Sequence, residues 1–177
     1  KRVIDCCAGA GGKTLHIATL MKNKGQVIAM DIYDYKLQEL KRRARRNELF
    51  NIETKLIEPR TLKRLEASAD RVLIDAPCSG LGVLRRNPDS KWKLKPSFLD
   101  EIRTTQQEIL QQYSKLVKQG GKLIYATCSI LPSENRKQIE QFLLSEKGKD
   151  FQLEAEEVIL AHTSGYDGFY MARLLKK

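Results

Sequence analysis

Short apolar runs recur along the chain at residues 2–7, 26–30, 71–74 and 122–125, residues 53–57 fit a further strand, and stretches of helical periodicity separate them. Apolar runs this short read as strands buried on both faces, and such strands belong to a parallel sheet covered by helices. Residues 151–159 and 168–175 read as two closing strands in a hairpin. The pattern implies a mostly parallel, doubly wound α/β sheet ending in an antiparallel hairpin. In open sheets of this kind ligands bind beyond the carboxyl ends of the strands. The residues just past each apolar run are therefore the ones to read for chemistry.

The intervening helices have identifiable inner faces. Leu15 and Ala18, with Leu20 or Met21, mark the first; Leu37, Leu40 and Ala44 mark a helix over residues 34–49. A short helix spans residues 61–67. A long one runs over residues 98–118, with Ser97 as its N-cap and Ile102, Ile109, Tyr113 and Leu116 or Val117 inward. Gly120-Gly121 is expected to stop it. Pro132-Ser133 opens the last, with Ile139, Phe142 and Leu143 facing the core.

Four of the strand ends carry candidate site residues. The first leads into Cys7-Ala8-Gly9-Ala10-Gly11-Gly12-Lys13. Glycines there let a backbone approach a cofactor closely, although the GxxxxGK[ST] phosphate loop is not satisfied. The second ends at Asp31, placed to accept ribose hydroxyl hydrogen bonds; a helix N-cap is the competing role. The fourth ends in Asp75-Ala76-Pro77-Cys78-Ser79-Gly80 and the fifth in Ala126-Thr127-Cys128-Ser129. Two thiols and a carboxylate should meet in one crevice. The long stretch of residues 79–96 holds Arg85, Arg86, Lys91, Trp92, Lys93 and Lys95, a mixture suited to phosphate contact and base stacking, with Trp92 as loop anchor the alternative.

Composition narrows the partners. Lys and Arg number 32 against 22 Asp and Glu, a net charge of +10 that favours a polyanion. Many of these cations lie on the helix of residues 34–49, where a solvated face is the simpler reading. The four cysteines lack CxxC spacing and scaffold density, so free thiols, a reducing compartment and no metal are expected. No apolar run approaches the roughly 18 residues of a membrane span. No signal peptide is visible, so we expect a cytoplasmic protein without a membrane partner. The length of 177 residues fits a single domain over 1–177. Because the chain starts inside a strand pattern, we expect a fragment.

Together these motifs resemble the Sun/Nop-type (Fmu/RsmB-like) RNA (cytosine-5) methyltransferases over nearly the whole chain. The segment Cys7 to Lys13 resembles the family's first S-adenosylmethionine motif, and Asp31 its ribose-binding acid. Asp75 to Gly80, with Arg85-Arg86-Asn87-Pro88-Asp89 and Lys91-Trp92, is similar to the fourth motif. Thr127-Cys128-Ser129, with Pro132, Glu134 and Asn135, resembles the sixth, and Asp167-Gly168-Phe169-Tyr170 the closing one. Ala10 stands where proline is common, Glu58 where an aspartate near the adenine is usual, and Arg136 where an acidic residue is frequent.

The resemblance implies a Rossmann-like class I methyltransferase fold with a seven-stranded sheet. It implies an S-adenosyl-L-methionine site formed by Cys7, Ala8, Gly9, Ala10, Gly11, Gly12, Lys13, Asp31, Glu58 and Asp75. The implied partner is RNA, ribosomal first and transfer RNA second, and the missing parts are an N-terminal arm and an RNA-recognition domain. Carbon 5 of cytosine is a poor nucleophile until a soft nucleophile adds at carbon 6, which selects cysteine. The spacing leaves open which thiol attacks; the resemblance assigns attack to Cys128, release to Cys78 and ring pairing to Asp75. A thiol of pKa near 8.5 is only roughly 3% ionised at pH 7, so the site should promote the thiolate. Two other classes are weighed against this: a non-catalytic RNA-binding domain that keeps the fold, and a nicotinamide-dependent oxidoreductase. Intact thiols oppose the first, and the absence of a GxGxxG turn opposes the second.

Overall fold

The computed structural model describes residues 1–177. In chain order the elements are β1 (Arg2–Asp5), α1 (Gly12–Leu20), β2 (Gln26–Asp31), α2 (Asp34–Arg46), β3 (Ile52–Leu56), α3 (Pro59–Leu65) and β4 (Ala69–Asp75). There follow α4 (Ser90–Lys93), α5 (Pro96–Tyr113), β5 (Val117–Thr127), α6 (Arg136–Leu144), β6 (Phe151–Ile159), α7 (Ala161–Ser164) and β7 (Phe169–Lys176). The strands form one seven-stranded sheet in the order β3-β2-β1-β4-β5-β7-β6. The first five are parallel; β7 inserts antiparallel between β5 and β6. This is the expected Rossmann-like class I methyltransferase arrangement, hairpin included.

Alternation along β2 explains the two layers. Ile28 and Met30 belong to a large cluster with Leu110 and Tyr113 of α5 and Ile139 and Phe142 of α6. Val27 and Ala29 point to the opposite face, toward Leu15 and Ala18 of α1 and Leu40 and Ala44 of α2. The centre of the larger cluster holds Tyr125 and Tyr170, edge to face with centroids 6.3 Å apart. Strand order changes direction between β1 and β4, which opens the crevice above their carboxyl ends.

Several local expectations give way. The first strand ends at Asp5, because Cys6 and Cys7 already turn toward the glycines. Helix α5 starts at Pro96, with Lys95 as N-cap, so Ser97 lies within it; proline's fixed φ suits the first helical position. The helix stops at Tyr113, and its buried stripe is Gln106, Leu110 and Tyr113, with Ile102 and Ile109 half-buried. Gly120-Gly121 lies inside β5 and does not end the helix. The pairing with β4 skips from Ala69–Val117 to Arg71–Lys122, so β5 bulges there. Gly120 has φ +69°, and a Cβ on Gly121 would come 2.9 Å from the Ala69 carbonyl oxygen. A bulge of that shape needs glycine.

Candidate active site

The cofactor side of the crevice is built on the turn after β1. Gly9 and Gly11 adopt φ +53° and +93°, and a Cβ on Gly11 would sit 2.6 Å from Leu40 Cγ. Asp31 closes the turn from the end of β2. Its Oδ2 accepts the Gly9 N–H at 2.8 Å and its Oδ1 the Tyr33 N–H at 3.0 Å. Each oxygen retains a lone pair for a further donor. Beneath the turn lies Asp5, buried and accepting the Thr14 hydroxyl at 2.7 Å. Burial lifts its carboxyl to about 6.

A cavity of about 300 Å³ lies over these residues, walled by Cys7, Gly9, Asp31, Ile57, Asp75 and Tyr113 among others. Ala8 is buried behind it, with its N–H on the Met30 carbonyl, and Gly11 is packed against α2. Ala10 and Gly12 are exposed at the turn's outer side, and neither lines the cavity. Glu58 is also placed away from it. That side chain is exposed and lines a separate depression of about 480 Å³ with Glu53, Lys55 and Arg64. The larger space contains no cysteine, Asp31 or Asp75, so its size carries no chemistry. Ile57 takes the wall position that sequence reasoning gave to Glu58.

Adjacent strands β4 and β5 deliver the two motifs side by side, joined by the Ala76 N–H to Ala126 carbonyl bond of 2.8 Å. Cys78 Sγ and Cys128 Sγ are 3.3 Å apart. Cys128 is held down at about 7, chiefly by the hydrogen bond from the Cys78 thiol. Cys78 is pushed up by the same contact and by its deeper burial. Cys6 and Cys7 are pushed up by burial and by neighbouring carboxylates. One thiol of the four is thus favoured as thiolate. Asp75 stands on the boundary between cavity and thiols, and Lys13 Nζ donates to its Oδ2 at 2.6 Å. Lys13 reaches Asp75 from outside the cavity wall, with its ammonium 5.4 Å from the Phe169 ring centroid.

Behind the thiols is a carboxylate that sequence reasoning assigned only to a motif. Glu134 has 0% exposure. Its Oε1 accepts the Ser79 hydroxyl at 2.5 Å and the Ser129 hydroxyl at 2.6 Å. Its Oε2 accepts the Ser79 N–H at 2.7 Å and a Gln106 amide hydrogen at 3.2 Å. The neighbouring Asn135 accepts the Thr127 hydroxyl and donates to the Ser129 carbonyl at 2.9 Å. The available signal was a serine after each cysteine, which asks for an acceptor once buried.

The remaining motifs lock onto the same place. Gly82 donates to the Cys128 carbonyl at 2.8 Å, and Gly168 donates to the Gly82 carbonyl at 2.7 Å. Arg86 Nε pairs with Asp167 Oδ2 at 2.7 Å. Trp92 does not anchor its loop. It is 80% exposed, with Lys91 Nζ 4.9 Å from its centroid. On α2, Arg43 donates to the Ala10 carbonyl at 2.7 Å, while Arg42, Arg45 and Arg46 are solvent-facing. No group of three or more His, Cys, Asp or Glu side chains is placed to hold a metal ion, and no helix is long and apolar enough to cross a membrane.

Comparison with known proteins finds relatives along the whole chain. The family described as 16S rRNA methyltransferase RsmB/F matches residues 1–175. The probable ribosomal RNA small subunit methyltransferase B of Bacillus subtilis is 38% identical over 99% of this chain and 43% of its own length. The ribosomal RNA small subunit methyltransferase B of Serratia proteamaculans is 38% identical over 99% of this chain and 42% of its own. The chain thus spans a little over two-fifths of the length of these curated relatives. Among solved structures, NSun6 from Pyrococcus horikoshii with SFG superposes with a TM-score of 0.86 at 28% identity, over 99% of this chain and 49% of that one.

Proposed function

The chain belongs to the RsmB/F family of 16S rRNA methyltransferases, and from that premise we propose that it methylates carbon 5 of a cytosine in ribosomal RNA. The methyl donor in this reading is S-adenosylmethionine, and the reaction passes through a covalent bond between cysteine and carbon 6. The observation that carries it is the 3.3 Å thiol pair, whose Cys78 directly follows Asp75 and Pro77 of the cavity wall that also holds Asp31. A non-catalytic binding domain has no use for two thiols brought within 3.3 Å of each other beside a carboxylate.

The residues present fit the donor. Asp31 has a free lone pair on each oxygen, and Gly9, with positive φ, leaves backbone bare of a side chain in the cavity wall. Gly9, Asp31, Tyr33 and Ile57 would hold its nucleoside end, and Asp75 and Pro77 border its reactive end. When bound, it supplies an electrophilic methyl group on a sulfonium.

The rest of the chemistry falls to this chain. The Cys128 thiolate adds to carbon 6, and the electron pair of the ring double bond moves toward carbon 5. Asp75 pairs with N3 and the amino group, favouring the protonated ring that addition produces. After methylation the carbon 5 proton passes to water in the site, its bonding pair restores the carbon 5–carbon 6 double bond as the carbon–sulfur bond breaks, and Cys128 regains its thiolate. Cys78, which donates to Cys128 in the resting site, is placed to assist that departure. Trp92 and its lysines offer a stacking face and phosphate contacts for the RNA. The same reading places the protein in the cytoplasm, as the catalytic domain of a larger enzyme.

The test is to incubate the full chain with methyl-labelled S-adenosylmethionine and 16S rRNA, then analyse nucleosides by mass spectrometry. Label in 5-methylcytidine is expected. Label confined to another base or position overturns the reading, as does binding of NAD in place of S-adenosylhomocysteine by calorimetry.

A further inference from the structure

We propose that Glu134 is a positioning residue that sets the separation of the two thiols by gripping the residue that follows each of them. The inference rests on the reading of Cys78 and Cys128 as the reactive pair, because Glu134 touches neither.

Cys78-Ser79 and Cys128-Ser129 repeat one local device. Ser79 Oγ accepts the Leu81 N–H at 3.4 Å, and Ser129 Oγ accepts the Leu131 N–H at 3.1 Å. Each serine thus caps the turn that carries its cysteine away from the strand. Each hydroxyl has one hydrogen, and both hydrogens go to Oε1 of Glu134. The two serine oxygens, 3.2 Å apart, are therefore held together by a shared acceptor and not by a bond to each other.

Glu134 is fixed from other directions as well. Tyr125 donates its hydroxyl to the Glu134 carbonyl at 2.7 Å. Gln106 spends its amide hydrogens on the Pro77 carbonyl at 2.9 Å and on Glu134, which leaves its own oxygen buried without a partner. An unpaired buried oxygen is costly, and a flipped amide would face two acceptors. The carboxylate therefore ties the end of β4, the end of β5 and the middle of α5 into one unit. A pair of serines without it has no fixed mutual geometry.

The test measures the thiols directly, in the full chain. Diamide removes two electrons and two protons from a close thiol pair as the sulfur–sulfur bond forms, and is itself reduced to the hydrazine. Closure of Cys78 onto Cys128 is followed by peptide mass spectrometry, which separates it from reactions of Cys6 and Cys7. Glu134→Gln keeps the shape but turns an amide toward donors. Its closure rate should fall by about tenfold to a hundredfold, the scale of a misplacement near 1 Å in a reacting pair.

Thermal unfolding distinguishes lost alignment from lost fold. Slowed closure in a variant still folded at the assay temperature supports the proposal; unchanged closure overturns it. If Glu134→Gln does not fold, Ser129→Ala, which removes one donor and leaves the carboxylate in place, decides between the same two outcomes. Failure of the wild-type chain to methylate RNA would remove the functional reading while leaving these rates measurable.

Discussion

The thiols of Cys78 and Cys128 face each other across 3.3 Å, from the end of one parallel strand to the end of its neighbour. Sharing one proton between them favours a single thiolate in the pair, and the lowered Cys128 is the member on which it is placed. Which of the two attacks and which assists can be tested.

With RNA and S-adenosylmethionine, Cys128→Ala should abolish both methylation and covalent adduct. Cys78→Ala should accumulate a protein–RNA adduct that survives denaturing electrophoresis. The opposite pattern would reverse the roles.

The pH dependence of Cys128 alkylation by iodoacetamide should have a midpoint of about 7. Removing the donor by Cys78→Ala should move that midpoint upward, toward the ordinary thiol range near 8.5. An unmoved midpoint would mean that the Cys78 hydrogen bond does not hold Cys128 down.

Lys13 touches Asp75 and not the cavity, so its loss should separate catalysis from cofactor affinity. Lys13→Met should reduce turnover by about a hundredfold. The affinity for S-adenosylhomocysteine, measured by calorimetry, should change by less than about threefold. A large loss of affinity would return Lys13 to the cofactor site.

Asp5 makes stability fall with rising pH. Its carboxyl titrates at about 6 when folded and at 3.8 in the reference state. Below the lower value both states are protonated and the folded state bears no penalty. Between the two the unfolded chain releases its proton first, so stability drops as pH climbs through 6, by roughly 3 kcal/mol in all. Denaturant unfolding of Asp5→Asn across this window should lack that drop.

Gly82→Ala should destabilise the fold by about 1–3 kcal/mol, because overpacking forces backbone apart. The added carbon would lie 2.2 Å from the Gly168 carbonyl oxygen and 2.7 Å from that of Cys128. Gly12→Ala meets nothing within 4 Å and should leave the melting temperature nearly unchanged. Equal effects would remove the steric account.

The strands and their terminal residues were legible because burial on both faces leaves an unbroken apolar run, and Asp31, Asp75 and the two thiols come straight after such runs. The Gly120-Gly121 pair misled because a glycine with positive φ serves a helix end and a strand bulge equally well. Ser97 misled in the same way, as proline at 96 had already started the helix. Glu58 sits one residue beyond the cavity wall, a distinction that depends on where β3 stops and α3 begins. Glu134 was the larger omission. Local pattern places Pro132-Ser133-Glu134-Asn135 at a helix entrance, and only tertiary packing shows four donors converging on one of its side chains.

Because β5 lies C-terminal to β4 yet pairs along its edge, the order of synthesis bears on the thiol pair. As the chain leaves the ribosome, β1 to β4 can pair while Cys78 still lacks the Cys128 thiol, Ser79 the Glu134 carboxylate and Gly82 its Gly168 contact. The thiolate of Cys128 gains its stabilising neighbour only once that part of the chain has folded back. A growing polypeptide therefore holds two separate thiols, and they become a pair only when β5 docks on β4.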